Sequence, residues 1–174
     1  MPRRSKSNKR PFSSRRFMPL LTLFGASVAS VPVSADDIIA RAKEIHERVI
    51  TLDTHVDISP DNFTPEVNYL TAPNTQVDLP SMVAGGLDAA FFIVYVGQGP
   101  LTDEGYRSAY QTAMEKFDAI HWMTEQLAPD RIALARTAQE VKEIAKTGRR
   151  VALIGVENAY PLGLDIANIA RFAD

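Results

Sequence analysis

Leu87-Asp88-Ala89-Ala90-Phe91-Phe92-Ile93-Val94-Tyr95-Val96 is almost continuously apolar, the pattern of a strand buried on both faces of a parallel sheet. Gly97 ends it. On its amino-terminal side, Asp78-Leu79-Pro80 predicts a short helix with Asp78 as cap and Pro80 in the first turn, stopped by Gly85-Gly86. On its carboxyl-terminal side a long helix is expected over residues 103 to 127. Thr102 is its cap, Asp103 and Glu104 fill the first turn, and Tyr106, Tyr110, Ala113, Phe117, Ile120, Thr124 and Leu127 form a stripe before Pro129.

Working outward, Thr137-Ala138-Gln139-Glu140 has the form of a capping box, launching a helix that buries Val141 and Ile144 and closes near Gly148. Val151-Ala152-Leu153-Ile154-Gly155-Val156 reads as another buried strand, with Glu157 at its carboxyl end and a last helix starting near Asp165. Toward the amino terminus, Asp36 and Asp37 precede Ile38, Ala42, Ile45 and Val49 at helical spacing, which predicts a helix over 37 to 48. Residues 49 to 57 then alternate as a strand, which puts Asp53, His55 and Asp57 on one face. Residues 58 to 77, rich in Pro, Asn, Asp and Thr, form a loop long enough to suggest a place near a functional site.

Three strands alternating with helices predict an α/β fold with parallel strands. No internal repeat is present. Three strands cannot close an eight-stranded barrel, which usually needs about 250 residues, so the sequence reads as a small open sheet or as an incomplete chain.

The 174 residues are 45% hydrophobic and 23% charged, an ordinary globular composition with one domain as the prior. Their charges are uneven. Residues 1 to 35 contain Arg3, Arg4, Lys6, Lys9, Arg10, Arg15, Arg16 and no acid; removing these seven from 19 basic residues leaves 12 against 21 acidic ones. The remainder is therefore acidic, by about nine charges, which speaks against a nucleic-acid partner. The basic block runs into the apolar stretch Phe17 to Val33 and ends in Val33-Ser34-Ala35, as a secretory signal peptide does, with cleavage expected after Ala35. Pro19, Gly25, Ser27, Ser30 and Pro32 interrupt that stretch, whereas a membrane span wants about 20 apolar residues. No stable span is expected after cleavage. Arg15-Arg16 after Ser13-Ser14 is similar to a twin-arginine signal. A mitochondrial transit peptide also fits an Arg- and Ser-rich start, but less well given the cleavage pattern. The expected location is periplasmic or secreted. There is no cysteine, which excludes disulfides, thiolate metal sites and a cysteine nucleophile.

Parallel strands present functional groups at their carboxyl ends, where His55, Asp57 and Glu157 fall. An imidazole nitrogen and carboxylate oxygens suit Zn²⁺ or a similar divalent ion. Taken alone the His-x-Asp pair is unspecific, and a histidine hydrogen-bonded near a strand end fits it as well. Asp53 reads as a capping or turning residue rather than a ligand. His46 and His121 lie on predicted helices and read as structural or surface groups. Ser59, Ser81 and Ser108 lack a nucleophile-elbow context, and Gly97-Gln98-Gly99 lacks the rest of a dinucleotide fingerprint.

Larger motifs narrow these alternatives. Asp53-Thr54-His55-Val56-Asp57, then Val77-Asp78-Leu79-Pro80 with Ala84-Gly85-Gly86 and Phe91-Phe92-Ile93-Val94-Tyr95-Val96, then Gly155-Val156-Glu157-Asn158-Ala159-Tyr160-Pro161-Leu162-Gly163 together resemble the membrane (renal) dipeptidase family of zinc peptidases, M19. The resemblance implies a (β/α)8 TIM-type barrel, of which residues 36 to 174 would supply the first three strand-helix units. It implies two Zn²⁺ ions in the complete enzyme, with His55 and Asp57 on one ion and Glu157 bridging both, and a dipeptide as substrate, often with a D-residue at the carboxyl-terminal position. The histidines for the other zinc and the residues that engage substrate belong to later strands, and neither His46 nor His121 corresponds to them. No certain catalytic residue therefore falls in this portion. The chain is expected to be an amino-terminal portion, inactive alone and weak in metal binding. Uncovered apolar faces would make it associate, and the complete enzyme is expected to form a homodimer. Another metal-dependent barrel hydrolase, of the amidohydrolase kind, is the rival reading; it would more typically show His-x-His, and Asp57 argues against it. A degenerate, non-catalytic fragment is the other.

Overall fold

A computed structural model describes residues 34 to 71 and 75 to 173. Residues 1 to 33 of the expected signal peptide lie outside them. The elements are α1 (Ala35–Arg48), β1 (Leu52–Asp57), α2 (Leu79–Gly85), β2 (Ala89–Tyr95), α3 (Asp103–Trp122), β3 (Ile132–Leu134), α4 (Ala138–Lys146), β4 (Arg150–Glu157) and α5 (Asn168–Ala173). All strand pairs are parallel, in the order β1-β2-β4-β3. Among the described residues no helix is long and apolar enough to cross a membrane.

The helix ends follow the local chemistry. Asp78 accepts from the Ser81 amide (2.7 Å) and Gly86 closes α2 with φ 69°, a left-handed cap that glycine adopts without a Cβ penalty. Thr102 caps α3, and Thr137 with Glu140 forms a complete capping box on α4. Helix α1 starts two residues earlier than expected, because Ser34 caps it in a second capping box with Asp37. The expected cleavage point after Ala35 therefore falls inside its first turn.

Three further expectations are corrected. Helix α3 is regular only to Trp122 and continues over Met123–Leu127 as a π turn. There the Thr124 hydroxyl donates to the Ile120 (3.0 Å) and His121 (3.2 Å) carbonyls, competing with the regular helical ladder. The sheet has four strands rather than three: Ile132–Leu134 pairs with Arg150–Ala152 alone. This short strand lies at the edge, so β1, β2 and β4 remain consecutive neighbours. Finally, β4 is buried only over its first half, and Val156 is 43% exposed. Beyond Ala152 no strand among the described residues covers its outer edge.

The main core lies between one face of the sheet and helices α2 and α3. Ala90, Phe92, Val94 and Ala152 pack there with Met82, Ala113, Phe117 and Ile120. The long loop contributes too: Tyr69 is 2% exposed, its ring 4.8 Å from Phe63 and edge-on to Phe92 at 5.9 Å. Burial first, and then the Asp78 carboxylate, push its phenol up to about 12. A smaller cluster of Ala89, Ala135 and Val151, with Val141 and Ile144 of α4, covers the start of the opposite face. Below the sheet, Asp88 ties three strand starts together: its carboxylate accepts from the Thr51 amide (2.9 Å) and from Arg150 Nη1 (3.1 Å). A cavity of about 850 Å³ reaches from the sheet face at Leu52, Phe91 and Leu153 to the α3 side of β4, where Ile154, Val156 and Phe172 line it.

Candidate metal centre

Strands β1 and β4 flank β2, so their carboxyl ends approach each other across one intervening strand. His55 Nε2 lies 3.1 Å from Glu157 Oε2 and 3.5 Å from Asp57 Oδ1. One ligand atom from each residue falls within 4.8 Å of the others. Their side chains are 51%, 75% and 48% exposed for His55, Asp57 and Glu157. At that exposure a protonated histidine paired with carboxylates gains little in stability, so ion pairing alone does not account for the convergence of three donors. Ligand atoms about 2.0 to 2.1 Å from a tetrahedral zinc lie about 3.3 to 3.4 Å from one another. The two His55 distances, 3.1 and 3.5 Å, approach that spacing, while the three donor atoms together span up to 4.8 Å; one nitrogen and two carboxylates are a donor set that suits a divalent ion.

A bulge in β1 sets this geometry. Asp53 is in register with Ala90, and Val56 with Phe92, so Thr54 and His55 together stand opposite Phe91. The extra residue reverses the phase of the strand. Asp53 shares the face of Ala90, toward the main core, whereas Asp57 is in register with Ile93 on the other face. The expected single face for Asp53, His55 and Asp57 is therefore wrong for Asp53. Its carboxylate instead accepts the His55 amide at 2.9 Å, satisfying a donor at the irregularity. His46 and His121 stay apart from the cluster: His46 Nε2 is 3.1 Å from the Gly85 carbonyl and His121 Nδ1 2.8 Å from Glu125.

Other residues at this end went unread in the sequence. Lys116 of α3 donates to the Ile58 carbonyl at 2.8 Å, just beyond Asp57. Burial lowers its ammonium, and the Asp57 charge partly opposes that. A long cation inside an amphipathic helix carried no signal of this. Asn158 has φ 73°, and its Nδ2 donates to the Val96 carbonyl at 2.8 Å. An asparagine directly after a strand is a recognisable candidate for a positive φ.

Comparison with known proteins follows the same lines. The family model for membrane dipeptidase (peptidase family M19) matches residues 39–174. The dipeptidase verJ of Clonostachys rogersoniana is 27% identical over 139 residues, which is 73% of this chain and 36% of that protein. The chain thus spans about a third of the length of such curated relatives. The probable dipeptidase PvdM from Pseudomonas aeruginosa is similar in fold, with a TM-score of 0.72 at 20% identity over 80% of this chain and 36% of that one. A metallopeptidase from Rhodobacter sphaeroides, solved with a phosphinate mimic of the dipeptide L-Ala-D-Ala, gives a TM-score of 0.58 at 24% identity over 71% of this chain and 42% of that one.

Proposed function

The chain belongs to the membrane dipeptidase family, peptidase family M19, and on that footing we propose that it supplies one side of a zinc centre for dipeptide hydrolysis. The ligands are His55, Asp57 and Glu157, and the convergence of their donor atoms within 4.8 Å carries the reading. In this role His55 would hold the ion through its imidazole, and Asp57 and Glu157 through their carboxylates. Bound divalent ions supply Lewis acidity toward a peptide carbonyl and the means to ionise water at neutral pH. The dipeptide substrate is supported by the L-Ala-D-Ala mimic carried by the Rhodobacter sphaeroides structure. The substrate-engaging groups and the second ion's ligands belong, in this reading, to the remaining two thirds of a complete domain.

Equilibrium dialysis with Zn²⁺ tests the site in the chain itself. The unmodified chain is expected to bind zinc, and His55→Ala and Glu157→Ala each to weaken binding by about tenfold or more, because each removes a direct ligand. Equal binding by all three proteins would sink the assignment.

Export belongs to the same proposal. The acid-free basic start, the apolar stretch and Val33-Ser34-Ala35 support it. Fractionation of expressing cells, with amino-terminal sequencing, is expected to find a processed chain outside the cytoplasm. An intact Met1 in the cytoplasmic fraction would refute it.

A further inference from the structure

We propose that Asn158 is a positioning residue for the metal centre: its side-chain amide extends the β2–β4 pairing by one rung and fixes the direction in which Glu157 presents its carboxylate. The inference rests on the metal reading of His55, Asp57 and Glu157. The last backbone rung between the two strands pairs Tyr95 with Glu157. At the next residue the chain leaves the sheet, with Asn158 at φ 73°, the one non-glycine residue with positive φ among those described. That conformation costs an L-residue roughly 1 kcal/mol, and asparagine is among the few that visit it routinely.

The side chain uses that conformation at both ends. Asn158 Nδ2 donates to the Val96 carbonyl at 2.8 Å, and its Oδ1 accepts the Tyr160 amide at 3.1 Å. Tyr160 in turn is 7% exposed, packs 5.2 Å from the Tyr106 ring and donates its hydroxyl to the Pro100 carbonyl at 2.6 Å. The segment from 157 to 160 is therefore tied first to the end of β2 and then to the loop between β2 and α3. Gly99 leaves the room this needs, since a Cβ there would lie 2.8 Å from the Tyr160 hydroxyl. Glu157 itself is half-exposed and, among the described residues, its carboxylate has His55 as its polar partner. Nothing else on its own side chain holds its direction, so the backbone that carries it must be held instead. Groups hydrogen-bonded directly to a metal ligand typically govern affinity by about 10- to 100-fold, and Asn158 acts one step further out, through the backbone that carries Glu157.

The test uses the 174-residue chain with Asn158→Gly, which permits the positive φ but removes both side-chain bonds, and Asn158→Asp, which keeps the acceptor and loses the donor. Zinc affinity is measured by competition with a chelator, and the absorption spectrum of the Co²⁺-saturated protein reports ligand geometry. Asn158→Gly is expected to bind zinc several-fold weaker, up to about tenfold and less than removal of a direct ligand, with an altered Co²⁺ spectrum, and Asn158→Asp to fall between it and the unmodified chain. Unchanged affinity and spectrum in Asn158→Gly overturn the proposal. Weaker binding with an unchanged saturated spectrum also overturns it, since that marks a merely structural role. An unmodified chain that binds no more zinc than Glu157→Ala fails the metal reading itself, and this proposal with it.

Discussion

Glu157→Ala in a complete dipeptidase domain carrying this segment is expected to lower kcat/KM for L-Ala-D-Ala by on the order of a thousandfold or more. The size follows from its place. It stands at the carboxyl end of β4, 3.1 Å from His55 Nε2 and in register with Tyr95 of β2, and it is the one candidate ligand contributed by a strand other than β1. Removing it takes away the contact between two strands' worth of ligands rather than one donor among several. The 174-residue chain alone is expected to show no turnover in the same assay, because it spans about a third of the length of its relatives. Hydrolysis by the variant domain at more than a tenth of the unmodified rate would refute the role, as would turnover by the chain alone.

The largest expected effect on stability is at Phe92. It is 1% exposed, lies at the centre of the sheet in β2, and meets Tyr69 from the long loop and Phe117 and Ile120 of α3 within one cluster. Truncating a buried phenylalanine to alanine costs about 3 to 5 kcal/mol, a large share of the roughly 5 to 15 kcal/mol that holds a domain together. Phe92→Ala is expected to shift urea unfolding by that amount or to prevent folding. Phe92→Leu, which fills most of the volume, should fold and lose much less. Loss of under about 1 kcal/mol in the alanine variant would show that this cluster is not the central core.

Much of this was legible because it depends on neighbours in sequence. Thr102, the Thr137 to Glu140 box, Asp78 and Gly86 act within one helical turn, and each cap stands where its residue type predicts. The apolar run through Phe92 marks the central strand for the same reason, although the expected burial on both faces holds only in part, with Phe91 half-buried and Tyr95 exposed. What the sequence hides is nonlocal. Ile132–Leu134 is too short for any period and becomes a strand only because Arg150–Ala152 lies beside it. The bulge at Thr54 and His55 is invisible in an alternating string, since it exists only relative to Phe91 on the partner strand. That one irregularity moved Asp53 off the site face while leaving His55 and Asp57 beside Glu157. The positive φ of Asn158 could be guessed from its place after a strand, but its partner, the Val96 carbonyl 62 residues earlier in the chain, could not.

The open edges of the sheet have a consequence of symmetry. Strand β1 is one edge and the upper half of β4 the other, and all pairing between them is parallel. A twofold axis brings together like edges, β1 on β1 or β4 on β4, and can pair them only antiparallel. Joining β4 of one copy to β1 of the next keeps the strands parallel but is head-to-tail, and it ends only if successive rotations return to the start. Otherwise it propagates as a filament. The three-residue strand β3 covers only the lower part of the β4 edge, so among the described residues the upper part, which carries Glu157, is left for such pairing.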